Sequence, residues 1–229
     1  MKTIAVIPAY NEEATVGSVV SQLGELGLRA VVVDDGSSDA TADRAAAAGA
    51  TVLRHPTNIG VGGALRTGFA YAARTGHERV ICVDADLQHE PNSIVELLNA
   101  ADTSGAELVI GSRFAEGGYE VSWSRRLLMR ALGRWISRRV GSELDDVTSG
   151  FRVITEPLLS RFAADYPAEF LGDTVEAILE AHAWGARIAQ TGVTMAARPA
   201  GEATSRFHAG GHLLRLLLVL VVTPRRGRV

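Results

Sequence analysis

The first half of the chain alternates short apolar runs of strand type with segments of helical periodicity, and this alternation constrains the fold most. Parallel strands need a crossover connection, usually a helix, so the pattern predicts a mostly parallel α/β sheet flanked by helices. The connections are short, and neither an internal repeat nor an interdomain linker interrupts them, which favours one domain. We expect strands at 3–8, 30–34, 51–53, 79–83 and 107–111, and helices at 15–26, 41–48, 64–75 and 91–101.

The pattern changes after residue 113. An arginine-rich stretch spans residues 119–140, and further along we expect a helix at 174–184, a strand at 187–193 and a last helix at 208–222. The first half looks like a nucleotide-binding scaffold, and we expect the second half to shape the site of another substrate.

Composition excludes several classes of function. A net charge of −3 argues against nucleic-acid binding. Cys82 is the only cysteine in the sequence, which excludes an internal disulfide and fits a reducing compartment. It lies in a predicted buried strand. The N-terminal apolar stretch is too short for a signal peptide, and no segment reaches the ~20 apolar residues that span a bilayer. We therefore expect a cytoplasmic protein, either soluble or peripheral on the inner face of the membrane.

Acidic residues follow two of the predicted strands. Asp84 and Asp86 come directly after an apolar run, with Gln88 two residues further on, and Asp34 and Asp35 end another run. Parallel strands place their carboxyl ends at one sheet edge, where open α/β sheets bind ligands. Closely spaced carboxylates with an amide oxygen suit Mg²⁺ or Mn²⁺ bound together with phosphate. The sequence therefore predicts an enzyme that handles a nucleoside diphosphate through a metal ion.

Other motifs narrow the type of phosphate site. Arg113 ends a third predicted strand, where its charge would complement phosphate. The chain has no P-loop, and no G-x-G-x-x-G turn follows the first strand. Simpler explanations stay open, because a D-x-D is often a turn with a helix cap, and the glycine-rich run at 60–63 is often a tight turn into a helix.

In order and spacing, these motifs resemble those of a known family. The chain is similar, over most of residues 3–206, to family-two inverting glycosyltransferases of the dolichyl/polyprenyl-phosphate sugar synthase type. The resemblance implies a single-domain glycosyltransferase A-type fold. The matching motifs are PAYNEE at 8–13, VDDGSSD at 33–39, NIG at 58–60, DADLQH at 84–89, GSR at 111–113 and DVTSGFR at 146–152.

The resemblance assigns one group of residues to the nucleotide sugar and its Mg²⁺ or Mn²⁺ cofactor. Asp35 is expected to accept a hydrogen bond from the base, and Asp84 to lie by the ribose and diphosphate. Asp86 is expected to bind the metal, with Gln88 as a second ligand. The whole set expected to contact the nucleotide sugar is Pro8, Ala9, Tyr10, Asn11, Glu12, Asp35, Gly62, Asp84, Ala85, Asp86, Arg113 and Arg198.

The residues expected to serve the chemistry are Asp86, Arg113, Asp146, Asp173 and Arg198. Fixed cations stabilise the negative charge that builds on a departing diphosphate, a role for the metal, Arg113 and Arg198. Arg198 opens a segment similar to the family's mobile R-x-x-G-x-S segment, although residues 203 and 204 depart from that pattern. Asp146 is expected to orient the acceptor or the metal.

The acceptor stays open between two classes. The resemblance favours a polyprenyl phosphate, which is an anion near neutral pH and needs no general base. Asp173 lies near the position of the base in hydroxyl-transferring relatives, so a glycan hydroxyl is the alternative. Asp173 serves equally well as the cap of the helix predicted at 174. A sugar-phosphate nucleotidyltransferase is a more distant rival, because it would carry a glycine-rich, basic loop after the first strand.

The arginine-rich stretch suggests a membrane surface or a membrane-protein partner. At ~100° per residue on a helix, four arginines share one arc and four apolar residues the opposite arc: Arg126, Arg130, Arg134 and Arg138 against Leu128, Leu132, Trp135 and Ile136. The pattern fits either an interface with anionic lipid or a surface helix that packs its apolar arc on the domain. We divide the chain into a catalytic domain at 1–206, with a nucleotide-sugar half at 1–113 and an acceptor half at 114–206, and an apolar helix with a basic tail at 207–229. That last segment belongs to the same domain or contacts the membrane interface.

Overall fold

A seven-stranded sheet forms the centre of the protein. The computed structural model describes residues 1–114, 123–167 and 173–196, with the backbone alone at 123–128 and 173. The strands are β1 (Thr3–Ala9), β2 (Arg29–Asp34), β3 (Thr51–Arg54), β4 (Arg79–Cys82), β5 (Leu108–Ser112), β6 (Arg152–Thr155) and β7 (Ile188–Gly192). The helices are α1 (Val16–Glu25), α2 (Thr41–Ala47), α3 (Val61–Arg74), α4 (Pro91–Ser104), α5 (Trp123–Val140), α6 (Leu158–Ala164) and α7 (Asp173–Ala183).

The sheet is mostly parallel, as predicted, with the strand order β3-β2-β1-β4-β6-β5-β7. Among the strands of the described residues, β6 alone runs against its neighbours: it pairs antiparallel with both β4 and β5. Neither β6 nor α6 was expected from the sequence. β6 has only two consecutive apolar residues, Val153 and Ile154, between Arg152 and Thr155, so it lacks the longer apolar run by which the other buried strands are recognised.

Helices cover both faces of the sheet, and each face has its own apolar core. One core joins the sheet to α3, α5, α6 and α7 through residues such as Phe69, Ile136 and Phe162. The other joins it to α1, α2 and α4. Cys82 is buried in the first core, and burial raises the pKa of its thiol to about 12, so it is a packing residue that stays protonated.

The chain changes direction across the sheet between β1 and β4. From β1 the chain builds outward through β2 to β3, then returns to place β4 on the other side of β1. β1, β2 and β4 are parallel, and their carboxyl ends share one edge. Ligands of open α/β sheets bind in the crevice at such a switch point. The acidic strand ends predicted to meet, at Asp34 and Asp84, therefore do lie along this edge.

Helix α5 packs its apolar arc on the domain, which was one of its two expected arrangements. Ile136 is fully buried in the core, and Leu132 and Trp135 pack against it. Arg130 and Arg134 are exposed on the opposite side. The apolar arc at these positions is therefore occupied by protein and does not face lipid.

Among the residues that the structure describes, none of the helices is both long and apolar enough to cross a bilayer. The predicted helix at 208–222, the basic tail and Arg198 lie outside the described residues.

Candidate active site

The turns after β1 and β2 are hydrogen-bonded to each other. Asn11, at a φ of 55°, donates its backbone N–H to Ser37 Oγ at 2.9 Å, and its Oδ1 accepts from the Ser38 backbone N–H at 2.9 Å. The Glu12 backbone N–H donates to Thr41 Oγ1 at 2.8 Å. These bonds fix the two turns as one platform at the sheet edge. The platform contains Pro8, Ala9, Tyr10, Asn11 and Glu12, all predicted to contact the nucleotide sugar.

Asp35 lies at the centre of this platform. Its Oδ1 accepts from the Ile59 backbone N–H at 3.0 Å and lies 2.8 Å from His55 Nδ1, while its Oδ2 accepts from the Gly60 backbone N–H at 2.8 Å. His55 Nε2 in turn lies 2.9 Å from Thr67 Oγ1. The carboxylate therefore orders the loop that leads into α3. Its contact with a base stays a prediction.

The glycine-rich run at 60–63 opens α3. The sequence predicted that this helix begins at residue 64, three residues later than in the structure. Gly60 takes a φ of 93°, which L side chains rarely adopt, and Gly62 is buried in the first helical turn. A side chain on Gly36, at a φ of 76°, would meet the backbone of Thr57 and Asn58 at 2.7–2.8 Å. Two glycines thus allow the turns around Asp35 to approach each other closely.

The turn after β4 presents Asp84, Ala85, Asp86 and Gln88 at the same edge. Asp86 is buried, and its Oδ1 accepts from the Gln88 backbone N–H at 3.1 Å. Gln88 donates through Nε2 to the Ala196 carbonyl at 3.5 Å, and its own carbonyl accepts from the Ala196 N–H at 2.9 Å. The residues that precede Arg198 in sequence are therefore tied directly to this turn.

Asp84 is half exposed, and its carboxylate is surrounded by positive charge. Its Oδ2 lies 3.2 Å from Nε2 of the buried His89. The partial burial of Asp84 would by itself raise its pKa, but the hydrogen bond with His89 and the positive charges of Arg113 and Arg152 outweigh burial and hold this pKa below its ordinary value. Asp84 is therefore an anion at neutral pH.

Arg113, which is partly exposed, forms an ion pair with Asp146. Arg113 donates from Nε to Asp146 Oδ2 at 2.7 Å, and from Nη2 to Asp146 Oδ1 at 2.9 Å and to Thr148 Oγ1 at 2.8 Å. Asp146 is fully buried. The sequence placed Arg113 as a phosphate-binding cation and Asp146 as an orienting group. The structure brings them together, so Asp146 holds the guanidinium in a fixed orientation.

A groove of about 680 Å³ lies next to this pair, between α5 and β7. Its lining includes Ser112 and Asp145, which are joined by a 2.6 Å hydrogen bond and directly precede Arg113 and Asp146 in sequence. Arg134 and Arg138 line the side formed by α5. The groove therefore extends from the exposed arginines of α5 to the residues beside the ion pair.

The chemistry of the β4 turn fits a divalent ion bound jointly with phosphate. The described residues include no group of three or more His, Cys, Asp or Glu side chains that would enclose a metal. Mg²⁺ is commonly held by one or two carboxylates, with substrate phosphates completing its coordination. Asp86 would supply a carboxylate, and Gln88, whose Nε2 donates to the Ala196 carbonyl, would offer its oxygen Oε1.

Several residues around the site were not assigned a role from the sequence. His55 orders Asp35, and Phe151 stacks on the ring of His89, with centroids 4.1 Å apart. Arg152 is buried and donates to the Ser149 carbonyl at 3.0 Å. Their position within the recognised motifs was the only available signal for Phe151 and Arg152. Asp173 begins α7, and its side chain lies outside the described part of the chain.

Comparison with known proteins identifies the family. Residues 4–163 match the family described as glycosyl transferase family 2. The chain belongs to this family. The glycosyltransferase resemblance is thereby confirmed, and the protein is a glycosyltransferase.

Two relatives have names that indicate the type of glycosyltransferase to which this chain is similar. The chain is 32% identical over 214 residues to the undecaprenyl-phosphate mannosyltransferase of Micrococcus luteus, covering 88% of this chain and 86% of that one. It is 34% identical over 170 residues to the polyprenol monophosphomannose synthase of Mycolicibacterium smegmatis, covering 70% and 64% of the two chains.

A solved structure supports the fold. The glucosyl-3-phosphoglycerate synthase of Mycobacterium tuberculosis, in complex with Mn²⁺, UDP and phosphoglyceric acid, superposes with a TM-score of 0.72 at 26% identity. The match covers 96% of this chain and 77% of that one. The predicted glycosyltransferase A-type fold is confirmed.

Proposed function

We propose that this glycosyltransferase moves a sugar from a nucleoside-diphosphate sugar to a polyprenyl phosphate, with inversion at the anomeric carbon and with Mg²⁺ or Mn²⁺ as cofactor. The observation that carries the proposal is the meeting of Asp84, Asp86 and Gln88 with the Arg113–Asp146 pair at one sheet edge. The names of the two relatives support the choice of acceptor.

The donor half consists of the platform around Asp35 and the turn after β4. Asp35 orders the glycine-rich entry to α3, whose first turn is expected to face the nucleotide together with Tyr10 and Gly62. Asp86 and Gln88 would hold the divalent ion. When bound, that ion supplies positive charge that stabilises the departing diphosphate. Arg113, oriented by Asp146, would supply a fixed cation on the same side.

The reaction would be a single displacement. An oxygen of the acceptor phosphate forms the new bond to the anomeric carbon, and the bond from that carbon to the diphosphate oxygen breaks. The diphosphate leaves with the electron pair, and one displacement inverts the configuration. The acceptor oxygen is already anionic near neutral pH, so no side chain has to remove a proton. Arg198 would add positive charge to the diphosphate from the segment after residue 196.

The exposed face of α5 suggests how the protein reaches its lipid substrate. Arg130, Arg134 and Arg138 are exposed, one helical turn apart, and take part in no salt bridge within the described residues. Anionic headgroups attract such a face by about 1 kcal/mol per arginine. The groove then leads from this face to the residues beside Arg113. Peripheral attachment to the cytoplasmic face of the membrane, through lipid or a membrane protein, and the division at residue 206 are parts of this proposal.

Vesicle binding tests the attachment. Sedimentation with vesicles rich in phosphatidylglycerol should fall when Arg130, Arg134 and Arg138 are changed together to Glu. Changing three exposed residues elsewhere, Arg29, Arg66 and Arg74, to Glu is the matched control and should have a smaller effect. Equal losses in the two triple variants would contradict a specific role of α5.

Release of nucleoside diphosphate tests the reaction. The protein is incubated with Mn²⁺ and UDP-, GDP- or dTDP-sugars, with and without a short polyprenyl phosphate. We expect release from one donor that depends on the lipid phosphate, is abolished in Asp86→Ala and is unchanged in Asp43→Ala, an exposed acidic residue of α2. Slow release of nucleoside diphosphate, at a rate that the lipid phosphate does not change, would contradict polyprenyl phosphate as the acceptor. It would favour transfer to a hydroxyl, with Asp173 as base.

A further inference from the structure

His89 follows the predicted metal ligand Gln88 and is held on two sides. Its side chain is buried, and its ring lies nearly parallel to that of Phe151, at 16° and 4.1 Å between centroids. Its backbone forms an isolated antiparallel bridge with Met195. The imidazole is therefore held by packing against Phe151, which directly precedes β6, and its backbone is held by the segment after β7.

In that position, one ring nitrogen of His89 lies within hydrogen-bonding distance of the Asp84 carboxylate. His89 Nε2 lies 3.2 Å from Asp84 Oδ2, and a side chain at Gly150 would approach the same carboxylate at 3.7–3.9 Å. The Asp84 carboxylate therefore has a hydrogen-bonding partner from outside the D-x-D pair.

The surroundings of the ring decide which nitrogen carries the proton. Within the described residues, the buried Nδ1 has no hydrogen-bond partner. A proton on Nδ1 would leave a buried donor unpaired and turn the Nε2 lone pair toward a carboxylate, which is costly on both counts. We assign the proton to Nε2, so that His89 donates to Asp84 Oδ2.

We propose that His89 is a positioning residue that fixes the Asp84 carboxylate for binding of the metal-bound nucleoside diphosphate. The proposal rests on the proposed function, because it assumes that Asp84 faces the ribose and diphosphate of the donor. Partners that orient the residues of a metal site typically contribute 10- to 100-fold to metal affinity. The N–H of His89, more than its bulk, would then set the affinity for the nucleotide.

Two substitutions separate the hydrogen bond from the packing. His89→Phe keeps a flat ring against Phe151 but removes the N–H. His89→Gln loses the ring but carries an amide N–H at a similar distance along the side chain. His77→Phe is the control, because His77 is also buried and also forms a hydrogen bond, with Thr75. His77 precedes β4 and Asp84 follows β4, so the two residues lie at opposite ends of this strand.

Calorimetric titration with UDP and with GDP, each with Mn²⁺ and without sugar or lipid, provides a readout independent of turnover. We expect the dissociation constant of the nucleotide that binds to rise at least about tenfold in His89→Phe. His89→Gln should recover most of that loss, and His77→Phe should stay within about twofold of wild type. Thermal unfolding of the apo proteins reports the packing cost separately.

The outcomes are distinct. Unchanged nucleotide affinity in His89→Phe would overturn the inference and leave the proposed function standing. Equal losses in His89→Phe and His89→Gln would also overturn it, because the N–H would then not matter. Wild-type protein that binds neither nucleotide would overturn the proposed function and this inference with it.

Discussion

Asp146 offers the sharpest test of how the site is held together. It is fully buried and accepts three hydrogen bonds from Arg113, from Nε, Nη2 and the backbone N–H, at 2.7, 2.9 and 3.2 Å. Asp146→Asn keeps the shape of the side chain but removes its charge and replaces one acceptor oxygen with an NH₂ group. One donor of Arg113 would then face another donor, and the guanidinium charge would lose its partner.

The expected cost is large. Removing one partner of a buried ion pair costs about 3–5 kcal/mol, and the partial exposure of Arg113 favours the lower end, about 3 kcal/mol. For a chain of this size the melting temperature would fall by roughly 6–12 °C. Turnover should fall by about 10²-fold or more, because Arg113 would no longer be held toward the diphosphate.

Urea unfolding of a double-mutant cycle measures the effect. Arg113→Met combined with Asp146→Asn removes both charges, so the double variant should be more stable than the sum of the two single losses predicts. Turnover should stay low in all three variants, which separates stability from catalysis. A loss of less than about 0.5 kcal/mol in Asp146→Asn, or strictly additive losses, would refute the reasoning.

Two further predictions concern the donor platform and the residue at which β4 begins, Arg79. Gly36→Ala should cost at least about 2 kcal/mol and weaken nucleotide binding, since its Cβ would meet the backbone at Thr57 and Asn58. Gly27→Ala, at a similar positive φ but with open space around it, should cost only about 1 kcal/mol, and equal losses in urea unfolding would contradict the steric argument. The hydrogen bond from Arg79 lowers the pKa of Asp102 below its ordinary value of 3.8, so this carboxylate stabilises the fold above that pH, and the contribution is lost as the pH falls through the folded-state pKa. Asp102→Asn should therefore melt below wild type at pH 7 and converge with it in acid, whereas a difference independent of pH would contradict the assignment.

The parts of the fold whose sequence follows a simple hydrophobic pattern could be predicted. β1, β2 and β4 each contain an apolar run that is buried on both faces, and the ends of β2 and β4 locate the acidic residues of the site. β6 could not be found in this way because it has only two consecutive apolar residues, Val153 and Ile154. Its antiparallel direction depends on pairing with β4 and β5, which are distant in sequence, so it is a tertiary property.

The places of the motif residues in the fold could be predicted, but not the side chains with which they interact. The motifs located Asp35 and Arg113 correctly at the sheet edge, since a strand end fixes the place of a side chain. The partners of these residues, His55 and Asp146, come from other loops, and no local pattern indicates that a carboxylate is already engaged. The interaction of His89 with Asp84 was equally hidden, because His89 also stacks on Phe151, which is distant in sequence and precedes a strand that was not predicted.

Comparison of a lipid phosphate with the matching lipid alcohol would test the central claim most directly. The protein would receive Mn²⁺, the sugar nucleotide found in the release screen, and either a short polyprenyl phosphate or the same polyprenol, with products identified by mass spectrometry. We predict that the phosphate gains one sugar and that the alcohol gains none, because the site relies on an acceptor that is already an anion. Glycosylation of the alcohol at a similar rate would contradict the account and require a general base.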